Sequence, residues 1–345
     1  MRKLVFTIII IIVILFLYYL YVVGSPYSKV SEVEEFIVHP GWGSMKIAEQ
    51  LEKQGFIKSN QVFVLYVWKN GISSKLMSGE YDLAKNLSIK EVAQVLSGGL
   101  VKDKERAITI IEGWDTRDIA YYFEQEGVYN ADDLYKLVGE PGQTYEVGED
   151  VGLYDFSEHY DFLFDKPKDQ GLEGYLFPDT YRIYHDAELI TVVKKMLDNF
   201  EQKLTTEMKE QIKINNVNIH DTLTLASIIE KEVATDEDRK LVASVFYKRL
   251  NNDMPLQADS TINFFTQTGK TRSSIEETKI DNPYNTYKYI GLPPGPICNP
   301  SLSSIMAAIY PDKNSYYYFL TEEDGTVHYA SNLEGHAANR AKYLD

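Results

Sequence analysis

An unbroken run of apolar and tyrosine residues from Leu4 to Val23 constrains this chain more than any other feature. A helix needs about 20 such residues to cross a bilayer core. Arg2 and Lys3 precede the run, so the positive-inside rule puts the short N-terminus, residues 1–3, in the cytoplasm. Tyr18, Tyr19 and Tyr21 stand at the far end, where an interfacial aromatic belt belongs. A cleaved signal peptide would have a shorter apolar core, and Val22-Val-Gly-Ser25 is a poor cleavage site. The expectation is a retained single-pass anchor in the cell (inner) membrane over 4–23, a polar linker over 24–34, and everything beyond it outside the cytoplasm. Most cytosolic cofactor chemistry is thereby removed.

Beyond the anchor, a 345-residue chain keeps enough length for two domains. The net charge of −16 leaves nothing to neutralise phosphates and argues against a nucleic-acid partner. A single cysteine, Cys298, excludes a disulfide framework and a cysteine-rich zinc site, and six scattered histidines show no metal-ligand spacing. Neither a metal nor a cofactor is expected.

Past the linker, Phe36-Ile-Val38 reads as a strand, His39 to Gly43 as a turn, and Ser44 as the cap of a helix to about Gln54, closed by Gly55. The pattern returns 72 positions later as Ile108 to Ile111, Glu112-Gly-Trp-Asp115 and a helix from Thr116 to Glu126, closed by Gly127. Gly41/Gly113, Trp42/Trp114, Ile47/Ile119, Ala48/Ala120, Glu52/Glu124 and Gly55/Gly127 coincide, which predicts a repeated strand–turn–helix unit. Between the copies come a helix over Asn60–Lys69, a strand over Gly79–Leu83, and a helix over Ser88–Leu96 that ends at Gly98-Gly99. Strand–helix–helix–strand resembles the order of a LysM-like carbohydrate-binding module over 35–100. A plain α+β spacer is the competing reading. Gly139 to Gln170 is a long stretch of weak periodicity, either a flap or a solvated insertion.

Further along, Thr222 to Val233 reads as a nearly all-apolar helix capped by Asp221, with two carboxylates, Glu230 and Glu232, near its end. At about 100° per residue, Glu230 shares a face with Leu223, Ala226 and Ser227, and Glu232 falls beside Leu225 and Ile229. The two therefore point to nearly opposite sides. Asp236 is expected to cap the next helix, to Leu250, and 251–260 to be loop; Ser301–Ile309 reads as a helix, and Tyr316–Leu320 with Val327–Tyr329 as a hairpin.

Four ordered segments carry a family resemblance: Glu173-Gly-Tyr-Leu-Phe-Pro-Asp-Thr-Tyr181, Ala226-Ser-Ile-Ile-Glu-Lys-Glu232, Leu256-Gln-Ala-Asp259, and Tyr284-Asn-Thr-Tyr287 with Gly291-Leu-Pro-Pro-Gly-Pro296. The chain resembles the membrane-anchored endolytic murein transglycosylases, the MltG or YceG-like proteins. The resemblance implies an α+β chain: a transmembrane helix, a small LysM-like subdomain, and a larger mixed α/β catalytic domain over 101–345 with its core motifs in 173–336. It implies a lyase that cleaves the β-1,4 bond between N-acetylmuramic acid and N-acetylglucosamine in peptidoglycan, leaving 1,6-anhydro ends. Glycan strands are the implied partner, with cell-wall synthases beside them. The first Glu of Glu-Lys-Glu, here Glu230, is the implied acid and then base. The apolar neighbours Leu223 and Ala226 are expected to raise its pKa. Glu232 is expected to hold the helix in place. Glu173, Gln257, Asp259 and Asn285 are candidates for positioning the sugar, and Tyr175, Tyr284 and Tyr287 for stacking on it. Turn-capping, loop-locking and core packing are the plain alternatives for these residues. The segment Glu334-Gly-His336 departs from the family pattern at Gly335 and carries no assigned role.

Rival functions are a non-catalytic, membrane-tethered glycan-binding scaffold and an ordinary glycan hydrolase. An older label for the family, a pyridoxal-phosphate lyase, needs a cytosolic substrate and a phosphate cradle that this sequence lacks.

Overall fold

Helix α1 (Arg2–Gly24) takes up the apolar run, and its Phe6–Gly24 part is long and apolar enough to cross a membrane, with a mean hydropathy of 2.9. The computed structural model describes residues 2–98, 105–145, 153–269 and 272–344. The expected domain boundary at 100/101, Gly99, and residues 146–152 of the Gly139–Gln170 segment lie outside them. The chain divides into two units, Met1–Lys104 and Glu105–Asp345, each with its own apolar core.

The first unit continues with β1 (Val33–Val38), α2 (Ser44–Lys53), α3 (Asn60–Lys69), β2 (Gly79–Ala84) and α4 (Ile89–Ser97). β1 and β2 pair antiparallel with Phe36 opposite Tyr81, so alternate residues of both strands turn inward. Ser88 and Glu91 close a reciprocal capping box on α4, whose Ile89, Val92, Ala93 and Leu96 form one buried stripe. Ser44 does not cap α2. Gly43 holds the cap position, without a side-chain bond.

The second unit opens with the same sequence of elements: β3 (Glu105–Thr109), α5 (Thr116–Gln125), α6 (Ala131–Val138), β4 (Thr180–Tyr184) and α7 (Leu189–Lys203). Its strands pair antiparallel with Ile108 opposite Tyr181. The offset between copies is 72 at the first strand (108 − 36) and 100 at the second (181 − 81), so 28 residues (100 − 72) are inserted between them. Detail is shared as well as order. The Tyr81 hydroxyl donates to the Met77 carbonyl at 2.7 Å and the Tyr181 hydroxyl to the Phe177 carbonyl at 2.5 Å, each four residues back. Gly55 and Gly127 end their helices at φ 77° and 59°, a conformation that costs a side chain but not glycine. The repeat expected from one strand and one helix is thus a whole five-element module. Its closing strand β4 escaped sequence reading because the insertion breaks the spacing.

The rest of the second unit is helical: α8 (Thr206–Ile214), α9 (Ile219–Glu232), α10 (Asp236–Asn251), α11 (Asp259–Thr266), α12 (Leu302–Ile309) and α13 (Leu333–Tyr343), with a hairpin of β5 (Tyr318–Thr321) and β6 (Val327–Ala330). α9 is the buried axis, with Thr222 through Ile229 all out of solvent. It starts three residues earlier than expected, because Asn218, not Asp221, caps it and accepts from the Asp221 amide at 2.7 Å. Thr235, not Asp236, caps α10. Every strand pair among the described residues is antiparallel, so the architecture is α+β, without the parallel sheet of an α/β domain.

Candidate active site

Two carboxylates leave the last turn of α9 in different directions, and their surroundings differ in kind. Glu230 is locked. One oxygen accepts from the Arg239 guanidinium at 3.2 Å, the other from the Ser301 amide at 3.0 Å and from the Ser301 hydroxyl. Ser301 is also the cap of α12, so Glu230 ties three helices, α9, α10 and α12, at one point. Its side chain is 7 % exposed. The apolar neighbours Leu223 and Ala226 are buried as expected, but the carboxyl group itself sits among hydrogen-bond donors and a guanidinium. Ser227 makes no bond to it: its hydroxyl donates back to Thr224 and accepts from the Ile297 amide. Nearby, burial and then the Glu230 charge push the exposed Glu112 carboxyl above its usual range.

Glu232 has the opposite environment. Its Oε1 accepts from the Ser260 hydroxyl at 2.7 Å and the Ser260 amide at 3.3 Å, both neutral donors. Burial pushes its pKa up, and the Asp259 carboxylate adds to that, against the lowering by Ser260 and the charge of Arg249. Arg249 is 6 % exposed but spends its donors on the carbonyls of Tyr317 and Leu256, at 2.8 and 2.7 Å. Asp259 accepts from the Tyr287 hydroxyl at 2.8 Å. Gln257 stands exposed beside this group in a left-handed conformation, φ 52°, its amide bonded to the Thr286 carbonyl. A non-glycine residue held there is a strained position of the kind found at functional sites. Thr286 fixes the same loop twice more, through the Ala258 amide and the Thr261 hydroxyl. Glu232, Gln257, Asp259 and Tyr287 therefore share one corner, at the junction of α9, α11 and the 282–288 loop.

The other expected sugar contacts are structural. Tyr175 is fully buried against Phe162 and reaches the His220 imidazole at 3.1 Å. Tyr284 packs on Phe264 with ring centroids 4.8 Å apart. Asn285 has no exposed surface; it donates to the Thr278 and Ile280 carbonyls and accepts from the Tyr287 amide, locking its own loop. All three are buried, with their side chains engaged inside the protein. Glu173 is buried too: it accepts from the Thr116 amide at 2.9 Å and the Asn299 side chain at 3.3 Å, joining the second module's turn to the 298–300 loop. Next to it Gly174, at φ 85°, has Pro296 where a Cβ would stand, so only glycine fits.

Burial, then the neighbouring Asp115 charge, pushes the Glu173 pKa up to about 8. An unfolded Glu titrates near ~4.3. The folded state therefore holds the extra proton between these values, and stability falls as pH rises through that window. Urea unfolding of the wild type should show a midpoint that declines from pH 6 to 9, and Glu173→Gln should flatten the decline. Parallel pH profiles for the two proteins would rule out Glu173 as the titrating group.

Sequence reading missed Arg239, Ser260, Arg249, Asn299 and Ser301. Only Ser301 carried a local signal, as a serine between Pro300 and an apolar helix. The others come from distant elements and meet the site only through the fold.

The family model described as YceG-like family matches residues 36–342. The chain is 36% identical over 324 residues to the endolytic murein transglycosylase of Bacillus subtilis (strain 168), covering 92% of this chain and 87% of that one. It is 34% identical to the endolytic murein transglycosylase of Streptococcus pneumoniae (strain D39), covering 88% of this chain but only 57% of that longer protein. Among solved structures, a yceG-like protein of Listeria monocytogenes superposes with a TM-score of 0.57 at 29% identity, over 90% of this chain and 99% of that one.

Proposed function

The chain belongs to the YceG-like family, and from that membership we propose that it is a membrane-anchored lytic transglycosylase that cuts within peptidoglycan glycan strands. α1 is the anchor, its basic end in the cytoplasm and the second unit on the outer side of the cell membrane. The bond is the β-1,4 link from N-acetylmuramic acid to N-acetylglucosamine. Glu232, rather than Glu230, is the proton carrier. One observation supports that choice: of the two acids on α9, burial pushes Glu232 toward its protonated form, whereas Glu230 is tied to Arg239 and Ser301.

Protonated Glu232 donates to the glycosidic oxygen as the C1–O bond breaks and charge develops at C1. The muramyl C6 oxygen then bonds to C1, and its proton passes to the Glu232 carboxylate. The acid is restored, no water is consumed, and the product carries a 1,6-anhydro ring. Because the nucleophile belongs to the substrate, one carboxyl group suffices. Burial first, and the Asp259 charge with it, favours the protonated form of that group, and Gln257 stands exposed beside it.

The test is mass spectrometry of purified peptidoglycan after digestion by the full-length protein in detergent. Internal fragments with anhydro ends are expected. Reducing ends instead would make the protein a hydrolase, and binding without cleavage would make it a scaffold.

A further inference from the structure

The tip of α1 is not free. Val22 is 2 % exposed within the first unit's core, and Tyr19 and Val23 pack against it. From Leu4, the ~20 residues that span a ~30 Å hydrocarbon core end near Val23. Any group touching Tyr19, Tyr21 or Val22 then lies at headgroup level or below. Two lysines do. Lys58, just before α3, sits 5.0 Å from the Tyr21 ring centroid, and Lys69, the last residue of α3, 5.5 Å from that of Tyr19. Those rings are separated by about 3 Å of helical rise, so both ends of α3 are held at nearly one height on α1. α3 crosses the anchor there. It carries no acidic residue, in a chain of net charge −16. It also exposes Trp68 at 73 % and Leu65 at 46 %, one turn apart on the same side.

We propose that α3 is a membrane-docking surface: Trp68 and Leu65 enter the outer leaflet at the headgroup boundary, flanked by Lys58 and Lys69. This rests on the reading of α1 as a membrane anchor. The chemistry matches the site. Indole prefers the interface, where its apolar body is covered and its N–H stays wet. Lysine stems lie along apolar surface and lift their charge toward phosphate. The occupant is the bilayer, because the surface is continuous with the helix that spans it. A partner protein would have to displace lipid from beneath α3. The consequence is that the module resembling a glycan binder lies on the lipid.

The full chain in phospholipid nanodiscs, with Trp42→Phe and Trp114→Phe, keeps Trp68 as its one tryptophan. Its emission should be blue-shifted and quenched more by lipids brominated near the headgroup than by lipids brominated near the chain end. A water-like emission with no lipid quenching overturns the docking. Phe16→Trp in a chain lacking all three native tryptophans reports on the anchor itself. If Trp at 16 is unquenched by either lipid, the anchor reading fails. If it is quenched while Trp68 is not, the anchor stands and the docking fails. Should the substituted chains not fold, hydroxyl-radical footprinting of the wild type in nanodiscs gives the same answer. Trp68 is then oxidised far more slowly than Tyr121, which is 65 % exposed. Fast oxidation of Trp68 counts against the proposal.

Discussion

Glu232→Gln should lower glycan-strand cleavage by about 10²–10⁴-fold, the usual contribution of a positioned acid–base group. Glutamine is the same size and its amide oxygen can still accept from Ser260, whose bonds to Glu232 are 2.7 and 3.3 Å. The folded state should survive while the transferable proton is lost. The companion variant matters equally. Glu230→Gln should leave kcat far less affected, because the Glu230 carboxylate already spends its acceptors on Arg239 and Ser301. Rates from dye-labelled peptidoglycan, with circular dichroism to verify folding, separate the two. A dead Glu230→Gln beside an active Glu232→Gln would return the catalytic role to Glu230. Two active variants would end the single-carboxylate mechanism.

Arg239→Ala should cost about 3–5 kcal/mol, the usual penalty for stripping one partner from a buried ion pair. Arg239 and Glu230 have side chains only 12 % and 7 % exposed, so water cannot readily replace the guanidinium. What remains is a charge at the point where α9, α10 and α12 meet, held by Ser301 alone. Glu230→Gln added to Arg239→Ala should recover part of the loss, because it removes that charge. Urea midpoints of the two single variants and the double variant measure the coupling. A loss below about 0.5 kcal/mol, the range of an ordinary surface change, would mean that the pair is screened and does not brace the site.

The elements that could be read from the sequence were those whose pattern is local. α3 runs over Asn60–Lys69 as expected, and α12 is displaced by one residue at its start. The angular separation of Glu230 and Glu232 also follows from helical geometry, and they do bond to different helices. The environments could not be read this way. Leu223 and Ala226 suggested apolar surroundings for Glu230, but Arg239 and Ser301 lie 9 and 71 residues away along the chain and reverse that expectation. The same limit explains the tyrosines. Spacing alone cannot distinguish Tyr287, bonded to Asp259, from Tyr175, buried under Phe162. The eight-residue helices α6 and α11 were missed because so short a span shows no clear period, whereas α12, equally short, is mostly apolar and stood out.

The place where α9 stops has an electrostatic consequence. A helix gathers partial negative charge at its C-terminal end, where the last carbonyls lack partners, and a carboxylate there is disfavoured by roughly 0.3–1 kcal/mol. Val233 is already extended, so Glu232 stands at that end. Glu230 is one half-turn back, but it faces the N-terminal end of α12, whose field has the opposite sign. One helix thus places its two acids in unlike fields, Glu232 at its own C-terminal pole and Glu230 against the N-terminal pole of α12. If Glu232 is the proton carrier proposed above, the α9 backbone favours the return of its proton.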